Sequence, residues 1–317
     1  MISVKNLTKR YVNTAAVDNI SFEVEDGDIV GLLGPNGAGK TTTMRILTCF
    51  MPATEGSATV AGHDVFNDSL NVRQKTGYLP ENVPLYLDMR VKEYLYFRAR
   101  LKKIPRRYRM QKMGECLELC GITDVQNQII GTLSKGYKQR VGLADTLIHD
   151  PEILILDEPT IGLDPNQIRQ IRKVIKDLGK KHTILLSTHI LPEVEMVCNK
   201  VIIINKGKIV AMDTPANLMN QLKAGRNVVL EVKGDGEKIK ESISRIEGIG
   251  SVVWKEKGEV NEFTVEAAEG KDLREDIFKC IVRDNYILRE MKRKAITLEE
   301  IFHQITTTET EDILKNE

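Results

Sequence analysis

The sequence predicts an α/β chain in two parts, a mostly parallel α/β domain over residues 1–224 and a small α+β domain over 225–317. Three observations lead there. Residues 34–41 read GPNGAGKT, the phosphate-cradling spacing G-x-x-x-x-G-K-[ST], between the apolar run Ile29-Val30-Gly31-Leu32-Leu33 and a helical pattern out to Leu47. Two further apolar runs, Ile153-Leu154-Ile155-Leu156 and Thr183-Ile184-Leu185-Leu186-Ser187, are separated by helical periodicity, as in parallel strands buried on both faces. From residue 226 the pattern becomes strand, helix, two strands, helix, strand, a ferredoxin-like βαββαβ order.

The glycines of residues 34–41 let the backbone turn tightly with its N–H groups inward, an anion nest at a helix N-terminus. In such a loop Lys40 reaches the β- and γ-phosphates and the Thr41 hydroxyl holds Mg²⁺. An ordinary Gly-rich turn is the competing explanation, and the strand before and helix after argue against it.

Composition narrows the classes. The 317 residues carry a net charge of +1, with 41% hydrophobic and 29% charged side chains, a globular balance without a global case for nucleic acid. No apolar stretch has bilayer length, and the start MISVKNLTKRY lacks the apolar core of a signal peptide. Five cysteines without a C-x-x-C pair suggest reduced thiols and a cytoplasmic setting. Cys116 and Cys120, one helical turn apart beside Leu117 and Leu119, read as packing residues.

In chain order, period-two alternation at Ile2, Val4, Val17, Ile20, Phe22 and Val24 predicts antiparallel strands ahead of the first parallel one. By spacing alone Tyr11 is a half-exposed strand residue. A strand near 58–61 and a short helix near 69–75 precede TGYLPEN at 76–82. Residues 91–120 read as helical, within a helical subdomain of about 85–150. They carry the basic run Arg98, Arg100, Lys102, Lys103, Arg106, Arg107, Arg109 and Lys112. That run is either a solvated face or a contact for anionic lipid heads. Ser134 caps the next helix, whose N-terminus is a second place suited to phosphate. Asp164-Pro165-Asn166-Gln167 opens another by capping Asp, first-position Pro and Gln. Strands and helices through a hairpin at 206–208 and a helix after Thr214-Pro215 end the domain at Ala224-Gly225. In the second part Thr297-Leu298-Glu299-Glu300 forms a capping box for a final helix, and 306–317 is polar.

A carboxylate pair ending a buried strand downstream of a phosphate loop has a direct use. Asp157 can hold Mg²⁺ and Glu158 can polarise a water for in-line attack on a γ-phosphate. His189, ending the next strand, can contact that phosphate or the water.

Taken together, GPNGAGKT, GYLPE (77–81), LSKGY (133–137), ILILDEP (153–159), GLD (162–164) and Ser187-Thr188-His189 resemble the ATPase subunits of ABC transporters over about residues 1–223. The wording GYLPENVPLYLDM and LSKGYKQRVGLA is similar to cassettes that pair with ABC type-2 permeases, of gliding-motility-like and multidrug-like exporters. The resemblance implies a P-loop NTPase fold with a RecA-like core, an antiparallel β subdomain and a helical subdomain. It implies that Tyr11 stacks on adenine and that Gly34, Pro35, Asn36, Gly37, Ala38, Gly39 and Lys40 wrap the phosphates. Thr41 would sit on Mg²⁺ and Thr42 on the α-phosphate. Glu81 falls at the family's Q-loop glutamine, near metal and water. Asp157 is the metal-holding acid, Glu158 the general base and His189 the switch histidine. Ser134 and Gly136 would meet the γ-phosphate held by the other subunit, with Asp164 across the seam. Two departures stand out. LSKGY replaces LSGGQ, putting Lys135 near the γ-phosphate or in solvent, and Glu81 adds a negative charge that a bound cation tolerates.

The implied machine is a homodimer clasping two ATP with Mg²⁺, each held by Lys40 of one copy and Ser134 of the other, driving a separate permease. Nucleic acid is not an expected partner, and the membrane, at its inner face, is reached only through the permease. The same sequence also suits a cassette that transmits force to a membrane or cell-wall partner without transport. A ribosome- or nucleic-acid-acting ATPase would usually fuse two cassettes or insert a coiled coil. A P-loop kinase gives no reason for LSKGY and His189.

Overall fold

The computed structural model describes residues 1–12, 14–221, 226–258, 260–267 and 273–293. The chain divides into two compact units, Met1–Pro215 and Ala216–Glu317.

The first unit is built on two sheets. Strands β1 (Ile2–Tyr11) and β2 (Thr14–Val24) pair antiparallel, with Ile2 opposite Val24 and Val4 opposite Phe22. After β3 (Ile29–Leu33) and α1 (Lys40–Leu47), strand β4 (Glu55–Val60) pairs with β1, and β5 (His63–Asp64) with β4. This antiparallel sheet runs β2-β1-β4-β5. Helix α2 (Ser69–Lys75) leads into β6 (Thr76–Leu79).

Three helices follow, α3 (Val91–Leu101), α4 (Arg106–Leu119) and α5 (Lys135–Leu147). The helical periodicity over 91–120 is therefore interrupted. Pro105 has no N–H to donate and forces the residue before it out of the helix, so the chain turns there, with Lys103 at φ +60°. Asp145 ties α3 to α5, accepting from Tyr94 Oη at 3.2 Å and Arg98 Nε at 2.6 Å. Part of the basic run is thus internally paired: Arg98 on Asp145, and Lys112 on Asp150 at 3.1 Å.

The remaining elements of this unit are β7 (Ile153–Asp157), α6 (Pro165–Leu178), β8 (Thr183–Thr188), α7 (Leu191–Val197), β9 (Lys200–Asn205) and β10 (Lys208–Asp213), and α8 (Pro215–Gln221) begins at the division between the units. The second sheet runs β10-β9-β3-β8-β7-β6, parallel except for the β10 hairpin arm. Every residue of β7 and β8 is buried, the reason both read as unbroken apolar runs. One core joins the two sheets and α1, with Ile2, Leu7, Phe22, Met44, Ile155 and Ile202 among its members. Because β3, β7, β8 and β6 run parallel and in register, Leu33, Asp157, Thr188 and Leu79 all sit at one edge of the sheet. Loops leaving that edge carry the site, as in other open α/β sheets.

In the second unit, β11 (Arg226–Lys233), α9 (Gly236–Ser244), β12 (Ile249–Lys257), β13 (Val260–Ala267), α10 (Arg274–Arg283) and β14 (Ile287–Arg293) form an antiparallel sheet of order β12-β13-β11-β14. Val228, Leu230 and Val232 alternate inward on β11 and pack with Ile239 and Ile243 of α9 and Ile277 and Ile281 of α10. The expected boundary at Ala224-Gly225 and the helix expected after Thr297 lie outside the described residues. No helix among the described residues is long and apolar enough to cross a membrane.

Candidate active site

Two glycines of the loop between β3 and α1, Gly34 and Gly39, could not be replaced by anything larger without movement. A Cβ on Gly34 would lie 2.4 Å from the Ile204 carbonyl oxygen, and one on Gly39 (φ +107°) 2.4 Å from that of Ala16. Lys40 and Thr41 open α1, so their amides have no intrahelical partner and face outward with the positive end of the helix dipole. That is an anion-binding geometry. The buried Lys40 ammonium donates to the carbonyls of Gly34 (2.8 Å) and Pro35 (3.2 Å) and pairs with Glu158 Oε1 at 3.2 Å.

Register brings the carboxylates to the loop. Asp157 ends β7 directly opposite Ser187 of β8. Its Oδ1 accepts from Ser187 Oγ at 2.5 Å and Thr41 Oγ1 at 3.2 Å, whereas Oδ2 is buried without a hydrogen-bond partner. Burial, more than any neighbouring charge, pushes the Asp157 carboxyl above its ordinary pKa. A buried carboxylate oxygen without a partner, beside a hydroxyl, matches the oxygen-donor chemistry of Mg²⁺, which takes one or two protein carboxylates and leaves the rest of its octahedron to phosphate and water.

Glu158 leaves the strand at φ +47°, a left-handed conformation costly to a non-glycine residue. Its N–H donates to Ser187 Oγ at 2.9 Å, and its Oε2 lies 2.9 Å from His189 Nδ1. Glu158 is buried at 4% exposure, while the His189 side chain is 38% exposed. One carboxylate therefore spans Lys40 and His189, with the histidine facing outward.

The other expected residues lie around this centre. Glu81 sits two residues beyond β6, the strand next to Asp157, and its charge reaches Tyr78. Tyr11 ends β1 as an exposed residue, at 43%, with its hydroxyl on Met51 Sδ at 3.0 Å. Ser134 caps α5, accepting from Tyr137 N, and Asp164 caps α6, accepting from the amides of Asn166 (2.9 Å) and Gln167 (3.0 Å). A Cβ on Gly136 would collide with the Gln167 side chain, so these two helix starts touch. Among the described residues no hydrogen bond or ion pair joins Ser134 or Asp164 to the phosphate loop.

The departures from LSGGQ have structural partners. The Tyr137 hydroxyl donates to Asp124 Oδ2 at 2.7 Å, a bond that raises its pKa, and Arg140 lies over its ring. Lys135 is exposed, yet its ammonium lies over Gly162 of the loop before α6, where a Cβ would strike it.

Sequence reasoning gave no role to Ser187, Thr160, Thr188, Arg172 or Glu193. Ser187 was findable as the residue level with Asp157 on the neighbouring strand. Glu193 had a signal too, an acid on the face of α7 that carries Val194 and Val197.

Comparison with known proteins follows the same lines. An ABC transporter family model matches residues 17–161. The chain is 34% identical over 306 residues to YxlF of Bacillus subtilis (strain 168), an uncharacterized ABC transporter ATP-binding protein, covering 96% of this chain and 99% of that one. The chain belongs to the ABC transporter ATP-binding family. Another member, the bacitracin transport ATP-binding protein BcrA of Bacillus licheniformis, is 38% identical over 211 residues, 66% of this chain and 68% of its own. Among solved ABC cassettes, a dimeric post-hydrolysis structure of MJ0796 bound to ADP and Pi superposes with a TM-score of 0.62 at 24% identity, covering 68% of this chain and 98% of that one. As an ABC cassette the chain has the P-loop NTPase fold, and nucleotide is its expected ligand.

Proposed function

We propose that this chain is the Mg²⁺-dependent ATP-hydrolysing subunit of an exporter, acting as a homodimer that clasps two ATP and drives a separate membrane permease. The observation that carries the reading is the buried Glu158 carboxylate held between Lys40 and His189 beside the phosphate loop. Glu158 takes a proton from the attacking water as its oxygen closes on the γ-phosphorus, and the bond to the β,γ-bridging oxygen breaks to give ADP and phosphate. Residues 34–40 wrap the phosphates, with Thr42 on the α-phosphate, Tyr11 on adenine and Glu81 where it would orient a water or the metal. Thr41 and Asp157 would hold Mg²⁺, which would supply charge neutralisation at the phosphate oxygens. His189 holds the γ-phosphate or the water in line.

Dimerisation is supported by the absence, among the described residues, of any hydrogen bond or ion pair from Ser134 or Asp164 to their own phosphate loop. The Ser134 helix start, with Gly136, serves the γ-phosphate on a second copy, and Asp164 lies across the seam. MJ0796 was captured as a dimer with ADP and Pi, and BcrA is a bacitracin transport protein; both support this reading. A groove of about 470 Å³ lined by Tyr78, Pro80, Val83, Arg98, Lys102 and Gly142, between the Glu81 loop and α3, suits a permease segment. Through that permease the subunit sits at the inner face of the membrane.

Purified protein carrying Glu158→Gln tests it. The variant is expected to bind ATP, lose at least about 100-fold in hydrolysis, and shift to a dimer in ATP by light scattering. Parental hydrolysis would remove Glu158 as base, and a strictly monomeric, ATP-loaded variant would remove the dimer.

A further inference from the structure

We infer that Glu193 is a positioning residue for ATP hydrolysis, setting the backbone on which Glu158 and His189 meet. Its carboxylate is 3% exposed and bonds to three separate elements. Oε1 accepts from Thr160 Oγ1 at 2.5 Å and lies 3.3 Å from the Arg172 guanidinium of α6, while Oε2 accepts from Thr188 Oγ1 at 2.8 Å. Thr160 and Thr188 are 2% and 0% exposed, so neither hydroxyl bond is shared with bulk water.

The location of the two threonines gives the network its meaning. Thr160 lies two residues after Glu158, in the turn closed by Ile161 N on the Glu158 carbonyl at 3.2 Å. Thr188 immediately precedes His189, and its hydroxyl also accepts from Ile190 N at 3.0 Å, so its two bonds bracket the histidine. One carboxylate thus fixes both backbone segments whose side chains touch at Glu158 Oε2 and His189 Nδ1. Glu158 stands at φ +47°, a conformation held only when its surroundings over-determine it, and the Thr160 bond is one of the restraints. The same loop continues to Gly162, beneath Lys135, and to Asp164, so Glu193 also fixes the origin of the segment that reaches the seam. A carboxylate suits this node because two hydroxyl donors and a guanidinium converge on it.

A displacement of about 1 Å between base and histidine is enough to slow an in-line reaction without loosening the phosphate loop. Glu193→Ala is therefore expected to lower kcat for ATP hydrolysis by about 10- to 100-fold, the loss of hydrogen bonds to a charged group, with nucleotide affinity within about threefold of the parent. Glu193→Gln, which keeps an acceptor and a donor for the two hydroxyls, is expected to recover most of that rate. In the double variant Glu193→Ala/His189→Ala, single-turnover hydrolysis should fall by clearly less than the product of the two single losses, because the part of the Glu193 effect that sets the Glu158–His189 contact is already gone in His189→Ala. A residue that merely stabilises the fold would multiply the two losses. Multiplicative losses, or parental kcat in Glu193→Ala, would overturn the inference. Should Glu193→Ala not fold, Thr160→Val carries the same test against His189→Ala. The inference rests on Glu158 and His189 acting on ATP. Parental hydrolysis in both Glu158→Gln and His189→Ala would defeat that reading, whereas their collapse beside an unaffected Glu193→Ala defeats only this one.

Discussion

His189 Nδ1 lies 2.9 Å from Glu158 Oε2, while the other oxygen of that carboxylate lies 3.2 Å from Lys40 Nζ. The histidine is the exposed member of the three, so it meets whatever enters the site first. Replacing it by alanine leaves the Lys40 loop intact. His189→Ala is expected to cut turnover by about 100-fold while ATP affinity, measured by calorimetry, stays near parental. A matching loss of affinity would instead show that His189 acts in ground-state binding.

Ser187 bonds two residues of the candidate site at once, donating to Asp157 and accepting from the Glu158 amide. Ser187→Ala removes both and leaves a buried N–H without a partner. Unfolding in urea should show a loss of about 1–3 kcal/mol. The Mg²⁺ concentration for half-maximal hydrolysis should rise, since Asp157 loses its shortest restraint. An unchanged Mg²⁺ requirement would separate Ser187 from the metal-holding role.

The glycines of the phosphate loop are not equivalent. Gly34 faces the Ile204 carbonyl at a distance no Cβ tolerates, whereas Gly37 (φ +80°) has open space around it. Gly37→Ala should therefore cost only the left-handed backbone penalty of about 1–2 kcal/mol. Gly34→Ala should cost more and should displace the loop from β9. Comparison of the two melting temperatures decides between them, and equal losses would contradict the close approach of Gly34 to the Ile204 carbonyl.

His149 provides a pH signature. Its Nε2–H donates to the Thr76 carbonyl, its Nδ1 is buried without a partner, and burial followed by the nearby Lys102 charge lowers its pKa from 6.5 to about 4. The folded-state value is depressed, so the unfolded chain binds the extra proton. Stability from this group is present above pH 6.5 and is lost as pH falls from there toward 4, by about 3 kcal/mol. Chemical denaturation at pH 7 and pH 5 measures the slope. His149→Leu should flatten it by about one proton, and an unaltered slope would assign the titration elsewhere.

Much of the first unit was legible in the chain because its strands are short, apolar and punctuated. Ile153–Leu156 and Thr183–Ser187 announce themselves as buried parallel strands, and Asp164-Pro165 marks the start of α6 to the residue. The turn between α3 and α4 was not read, although Pro105 marks it, because the apolar spacing continues on both sides. Glu193 and Thr160 were silent for a different reason. Their meeting depends on how α7 crosses the loop after β7, a contact between residues 33 positions apart that no local period encodes.

By itself the sequence determined the glycine loop, most of the order of strands and helices, and residue types whose chemistry suits phosphate and a divalent metal, since glycine backbone freedom, apolar period and side-chain chemistry are local properties. Only the tertiary structure decided which oxygen of Asp157 lacks a partner, that Glu158 bridges Lys40 and His189, and that Glu193 bonds both Thr160 and Thr188, because strand register and helix crossing set distances that local chemistry cannot.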